Sequence, residues 1–295
     1  RVAPGSAGTE PKISITYDSQ AMGGALGAGW SIAGLSTITR GPRNLFLDKA
    51  HSGVRLDDTD VLFLDGERLI AVRTTGVGAS RTVEYRKAVD DTTRILQMGA
   101  TLDTSRFRVD TKGGLRLYFD GANNSSVKLA DGFTLVFAAS RIVDTAGNYI
   151  EFRYSANGNG DYDVQSIRYT GHETRDGGGN VTSDRRPYAS IEFEYENAPR
   201  PLDAYIAGRV LRKSTRLKSI QSRVSLQPDN VPAVVWSTVA RYAFEYEDRD
   251  TANRFVLTRI REFGEDGGEI VPTTFAYSRP SIGWSSAQFQ MPIIP

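Results

Sequence analysis

The chain lacks cysteine altogether, holds only two histidines and three methionines among 295 residues, and contains no long apolar run. Without cysteine there is no disulfide framework, no thiol nucleophile and no Cys-ligated zinc. The compartment stays open, because a secreted protein can also do without cysteine. His51 and His172 both lie in loop-like contexts. A His-based metal site would need acidic partners that spacing does not identify, and no Gly-x-Ser-x-Gly elbow accompanies a serine nucleophile. No window approaches 18 consecutive apolar residues, the length a spanning helix needs. The lead "RVAPGSAGTEPK" has no apolar core of the signal-peptide kind. There is no initiator Met, and the last stretch, "AQFQMPIIP", reads as a linker. Both features suggest a segment of a longer polypeptide. Net charge is also missing: 36 basic against 35 acidic side chains leave +1, so nothing global steers the chain toward nucleic acid or an acidic membrane.

What is present favours strands and turns. There are 13 Tyr, 13 Phe and 29 Gly, a composition of pleated strands and tight turns. Alternation with a period of two is widespread: Ile13, Ile15 and Tyr17 alternate with Lys12, Ser14 and Thr16. "FRVDT" and "LRLYF" frame a hairpin turn at Gly113 and Gly114. The best helical candidate, "TANRFVLTRIREFGE", reads equally well as a strand.

The second half repeats itself. "IEFRY", "IEFEY", "YAFEY" and "TTFAY" each carry Phe-x-Tyr, at Phe152/Tyr154, Phe193/Tyr195, Phe244/Tyr246 and Phe275/Tyr277. Each is preceded by a short strand, in "SRIVD", "QSIRY", "KSIQSRV" and "LTRIREF", with loops of varying length between. Residues two apart on a strand share a face, so the pattern predicts a row of hairpins, each offering an aromatic pair to one side of a long antiparallel sheet.

Four constellations invite a chemical reading. The first is "YDSQAMGGALGAGWSIAGLSTITR", residues 17 to 40, with five glycines. A dinucleotide or phosphate loop needs its glycines directly before a helix, and a Walker A loop ends in Gly-Lys-Ser/Thr. Here an alternating strand pattern begins at Trp30 and no Lys follows, so the expectation is that the glycines turn the chain around the Trp30 indole. The second is Glu-x-Glu, at Glu192/Glu194/Glu196 and Glu245/Glu247. It is part of the signature of one class of ADP-ribosyltransferases, but the Ser-Thr-Ser strand of that signature is missing, and a solvated sheet face explains the pattern. The third is "NGNGDYD", with Asn157, Asn159, Asp161 and Asp163 at every second position, the oxygen spacing of a calcium loop. Tyr162 and Arg168 stand where an EF-hand wants Gly and an acid, leaving a weak calcium candidate beside a polar turn. "LDDTD" (Asp57, Asp58, Asp60) is a weaker case. The fourth is the basic run Arg209, Arg212, Lys213, Arg216 and Lys218, a candidate for an acidic partner or phosphates, or a solvated strand. No catalytic residue, cofactor site or firm metal site is expected. Structural weight falls on Tyr17, Gly27, Gly29, Trp30 and the four Phe-x-Tyr pairs.

The stretch from residue 2 to 40 resembles the amino-terminal signature of the SpvB family domain, which also begins the B components of bacterial Tc toxin complexes and has a similar counterpart in Rhs-type proteins. The resemblance rests on Tyr17-x-Ser19, Leu26-Gly27-x-Gly29-Trp30 and the apolar run to Arg40. Gly24-Ala25 departs from the expected Asn-Gly. "LDDTDVLFLDGERLI" resembles the family's Asp-x-Phe-x-Leu-x-Gly stretch at Asp60, Leu62, Leu64 and Gly66, and "DTAGNYIEFRY" resembles the pattern of YD-type repeats. The resemblance implies an all-β fold of consecutive antiparallel hairpins in a long curved sheet. Residues 1–140 would form an SpvB-like region with the Gly-rich/Trp signature, and 141–295 a YD-like hairpin row leading into a further domain. It implies a non-catalytic segment of a secreted toxin, part of a hollow β-shell that encloses and delivers a toxic polypeptide. A delivery or partner-binding module associated with an ADP-ribosyltransferase, or an adhesin, is the alternative. The implied partners are other domains of the same chain, a toxin-bearing C-type or Rhs-type polypeptide and a membrane-inserting A component, with no nucleic acid, no membrane span and no cofactor. The implied location is extracellular, with prior assembly in the bacterial cytoplasm an open route.

Overall fold

The computed structural model describes residues 2–21, 23–90, 92–156, 159–225, 235–249 and 254–278. Among the described residues the chain forms twenty strands, most of them where period-two alternation predicts. Among the described residues β1 (Ser14–Tyr17) and β2 (Trp30–Ala33) pair only with each other, as a separate two-stranded sheet. The other eighteen strands form one antiparallel sheet. The protein is therefore all-β, built of consecutive hairpins as the alternation predicts. Among the described residues no helix is long and apolar enough to cross a membrane.

The sheet begins as a meander: β3 (Thr37–Gly41), β4 (Val61–Leu64), β5 (Glu67–Thr75), β6 (Thr82–Lys87), β7 (Arg94–Met98), β8 (Arg106–Asp110) and β9 (Arg116–Phe119). A four-residue helix, α1 (Leu45–Asp48), follows β3. β10 (Ser126–Lys128) then forms a hairpin with β11 (Thr134–Ala138), which returns to pair with β3. β12 (Arg141–Val143) begins after only Ala139 and Ser140, yet it pairs with β9, at the other end of the meander. Three peptide steps span at most ~11 Å, so the meander must curl until its first and last strands flank one continuous segment. Ile38, Leu64, Ile95, Phe107, Phe119 and Phe137 are buried inside this curl, with Phe107 and Phe137 edge-on at 4.9 Å.

From β12 the sheet continues as the predicted row: β13 (Asn148–Ala156), β14 (Tyr162–Arg175), β15 (Val181–Arg185), β16 (Ala189–Ile206), β17 (Arg209–Val224), β18 (Ser237–Arg249), β19 (Arg254–Phe263) and β20 (Glu269–Thr274). β15 folds back on the end of β14, and β16 pairs with the middle of that strand, Ser166 to Tyr169. The segment with helical periodicity is strand β19. The long β16–β17 hairpin projects beyond its neighbours, and its Ile206 and Leu211 pack on a small core of Leu56, Leu129 and Leu135 beside the meander. The largest core lies on the row's aromatic face and includes Phe152, Tyr154, Phe193 and Phe244 together with Leu26 and Trp30.

Candidate functional site: a tyrosine-stitched row and its aromatic clasp

The Phe-x-Tyr pairs share more than a face. In each of the first three hairpins the register slips by one residue immediately before the tyrosine, at Arg153/Tyr154, Glu194/Tyr195 and Glu245/Tyr246. The extra residue sits on the facing strand, as Gln165, Lys218 and Thr258. Tyr154, Tyr195 and Tyr246 thereby stand opposite Val164, Leu217 and Leu257, all three buried. A bulge disrupts the ladder locally, and the carbonyl at each bulge is taken up by the next hairpin. Tyr195 Oη donates to the Val164 carbonyl at 3.0 Å, Tyr246 Oη to Leu217 at 2.5 Å and Tyr277 Oη to Leu257 at 2.6 Å. Tyr154 Oη starts the series on the Ala139 carbonyl at 2.9 Å. Tyr195, Tyr246 and Tyr277 therefore each stitch their part of the row to the preceding hairpin. Burial pushes the Tyr154, Tyr195 and Tyr246 phenols well above their ordinary range, so they remain neutral donors.

The glycine-rich stretch closes over this row. The Leu217 amide donates to the Ala25 carbonyl at 2.7 Å, and the Ala28 amide to the Phe255 carbonyl at 3.1 Å. Gly27 has φ +88°, and a Cβ there would lie 2.7 Å from the Phe255 carbonyl oxygen. Gly29 has φ +79° and would meet the Tyr17 ring at 2.6 Å. The glycines thus allow a left-handed backbone to press against β19 and against Tyr17. They lead into strand β2 rather than a helix, so no helix N-terminus is offered to a phosphate. Trp30 is 9% exposed. Its indole lies 4.6 Å from Phe275 and 5.1 Å from Tyr17 between ring centroids, and Nε1 donates to Tyr277 Oη at 2.7 Å. One tyrosine hydroxyl thus accepts from the start of the chain and donates to β19, fastening both to the last Phe-x-Tyr pair. A second tie joins Thr9 Oγ1 to Asp144 Oδ2 at 2.7 Å. Burial raises the Asp144 pKa, but hydrogen bonds from Asn148 and Thr9 outweigh it and hold the carboxyl below its ordinary value.

The acidic and basic candidates are engaged with one another. Lys213 Nζ lies between Asp161 Oδ1 at 2.8 Å and Asp163 Oδ1 at 2.5 Å and also donates to the Tyr162 carbonyl. Both carboxylates are 5% exposed, so an ammonium stands where the calcium reading would place a metal. Asn159 is exposed, and Asn157 falls outside the described residues. Elsewhere in the basic run, Arg209 pairs with Asp131, Arg212 with Asp203, Arg216 with Glu196 and Lys218 with Glu194. Glu245 faces Arg259 and Arg261 across β18 and β19. Asp57, Asp58 and Asp60 belong to a knot around Arg40, whose side chain is fully buried. It donates to the Asp57 and Thr134 carbonyls and to the Asp60 and Asp103 carboxylates. Asp58 accepts the Leu102 amide at 2.7 Å. Among the described residues no group of three or more acidic or histidine side chains is placed to hold a metal ion. One further element went unmarked in the sequence, the Asp176-to-Asn180 turn. It repeats the Asp144-to-Asn148 spacing, and its aspartate likewise accepts the two amides two and four residues on.

The family model of the Salmonella virulence plasmid 65kDa B protein, SpvB, matches residues 1–198. The chain belongs to the SpvB family. Its fold is shared with the N-terminal domain of effector protein SpvB from Salmonella typhimurium strain LT2, with a TM-score of 0.66 and 16% identity over 88% of this chain and 97% of that one. The TcdB2-TccC3-Cdc42 crystal structure matches with a TM-score of 0.73 and 15% identity over 94% of this chain. The Photorhabdus luminescens Tc holotoxin pore matches with a TM-score of 0.72 and 15% identity over 90%. The chain spans only 16% and 15% of those two longer chains. No curated protein sequence matches it. The SpvB-family match covers the glycine-tryptophan side of the clasp, the meander and the first two Phe-x-Tyr pairs, while Leu217, Phe255, Phe275 and Tyr277 lie beyond it; the structural matches extend the likeness of fold over nearly all of the chain.

Proposed function

We propose that this chain is a non-catalytic wall segment of a secreted bacterial toxin assembly, forming part of a hollow β-shell that encloses and delivers a toxic polypeptide. The observation that carries this reading is the tyrosine stitching: one hydrogen bond, repeated from hairpin to hairpin, specifies a sheet that grows by addition. Membership of the SpvB family and a fold shared with Tc toxin chains support it. So does the pairing of Glu194 with Lys218, Glu196 with Arg216 and Glu245 with Arg259 and Arg261, which sets these side chains to holding strands together. In this reading residues 1–140 form an SpvB-like region with the Gly-rich/Trp signature and the curled meander, and 141–295 the hairpin row that leads into a further domain. The partners are other parts of a longer chain, a toxin-bearing C-type or Rhs-type polypeptide, and a membrane-inserting A component that docks the assembly.

The test is protease protection of the native assembly. The full-length polypeptide containing this chain is purified with its partner and digested under native conditions. A partner segment that survives until the assembly is opened by denaturant supports the container. A partner digested as fast as it is alone refutes it.

A further inference from the structure

On the aromatic face of the row, beside the clasp, lies a groove of about 260 Å³ between β1 and the sheet beneath it. Its roof is Ile13 and Ile15. Its floor includes Phe193, Ile220 and Tyr242, which are successive cross-strand partners on β16, β17 and β18, together with Ile260. No charged side chain lines it, although a quarter of the chain is charged. Ile13, Ile15, Ile220, Tyr242 and Ile260 are among the residues packed on this core that stay partly exposed.

β1 bonds to β2 along one side and, among the described residues, to no other strand. Among the described residues its second side is therefore an unpaired strand edge beside the apolar side chains of the groove. An open edge of this kind is a template for pairing with another extended chain. The volume is below that of ordinary small-molecule pockets and suits a few aliphatic side chains. The bonding and the lining both select one ligand: an uncharged extended segment whose alternate side chains are apolar, since every second residue of a strand faces the floor.

We infer that this groove binds an extended apolar segment of an unfolded polypeptide by strand addition to β1. The inference rests on the container reading for the source of that polypeptide, which is the enclosed cargo. A folded cargo domain would keep its own backbone groups paired and could not supply the strand.

The experiment titrates the intact chain into a fluorescein-labelled octapeptide of alternating valine and threonine, followed by anisotropy. Saturable binding is expected. It should weaken at least tenfold when alternate peptide nitrogens on the pairing edge are methylated. It should weaken likewise in the Ser14→Glu variant, which puts a charge at an exposed position on the groove. No saturation would overturn the inference. So would equal binding of the methylated peptide, because the site would then be a greasy surface rather than a strand edge. Displacement of the peptide by dodecyl maltoside below its micelle concentration, with methylation without effect, would also overturn it by assigning the groove to lipid-like ligands. The titration needs no cargo. A successful titration beside failed protease protection would remove the container and leave the peptide site standing.

Discussion

A single hydroxyl carries much of the hairpin row's specificity. Tyr246 is packed edge-on to Phe255 at 5.3 Å and its oxygen reaches the buried Leu217 carbonyl. Tyr246→Phe keeps the ring and strands that carbonyl, at a cost of about 1–3 kcal/mol. Tyr205, which is 72% exposed at the tip of the long hairpin, supplies the control. In urea unfolding, the midpoint for Tyr246→Phe should fall while that for Tyr205→Phe stays with the parent. Trp30 separates ring from donor in the same way. Trp30→Ala should lose about 3–5 kcal/mol, and Trp30→Phe should recover most of it, less about 1 kcal/mol for the lost Nε1 hydrogen bond. A Trp30→Ala melting curve that overlays the parent would sink the clasp. Lys213→Met leaves Asp161 and Asp163 buried beside each other without their cation, and breaking such a pair costs about 3 kcal/mol or more. Replacing both acids by Asn in the same variant should restore most of that loss in thermal melts.

At the scale of elements the bulges matter more than the residues that form them. Lys218 is the extra residue of the β16–β17 hairpin, and its exposed pair with Glu194 contributes little. Lys218→Ala should therefore change stability by less than about 0.5 kcal/mol. Deleting Lys218 is a different perturbation. It would even the pairing around Tyr195, with Leu217 and Ile220 still on one face, and close the bulge from which Tyr246 takes the Leu217 carbonyl, so the urea midpoint should fall at least as far as in Tyr246→Phe. Much of this level was legible beforehand. Alternation marked the hairpins, and Phe-x-Tyr marked the face they share. The bulges were hidden, because an inserted residue shows only when two strands are aligned against each other. β15 was hidden because all five of its residues are exposed, so it carries no alternation and read as loop. α1 is too short for periodicity. The roles of Asp161 and Asp163 were misleading for a related reason: oxygen spacing along one strand suggests a cation, but the cation comes from Lys213, 50 residues on. The docking of residues 25–30 on Leu217, Phe255 and Tyr277 had no local signal, since glycine content shows that a backbone can turn and says nothing about the strand it will meet.

Over the whole molecule the stitching hydroxyls set a pH dependence. Burial raises the folded pKa of Tyr154, Tyr195 and Tyr246 above the value near 10 of a free phenol. The stability tied to their neutral form is complete below pH ~10 and is lost as pH rises through the folded values, because the unfolded chain releases these protons first. Alkaline titration should show phenolate absorbance rising in two parts. Exposed tyrosines ionise early, and the buried set appears together with the loss of secondary structure. A smooth single rise with the fold intact would show that these phenols are open to solvent.

The indole-to-phenol contact that joins the two ends of the described chain spans 247 positions in the sequence. At a synthesis rate of 5–20 residues per second, Trp30 is joined to the chain roughly 12–50 s before Tyr277 is. Until the last hairpins are made, Leu26, Ile32 and Trp30 have only part of the row to cover. Contacts between such distant residues also form slowly once both are present. The clasp that completes the fold is therefore its last event and the time of greatest exposure to aggregation, so the yield of soluble protein depends on what shields the first forty residues while the rest is being made.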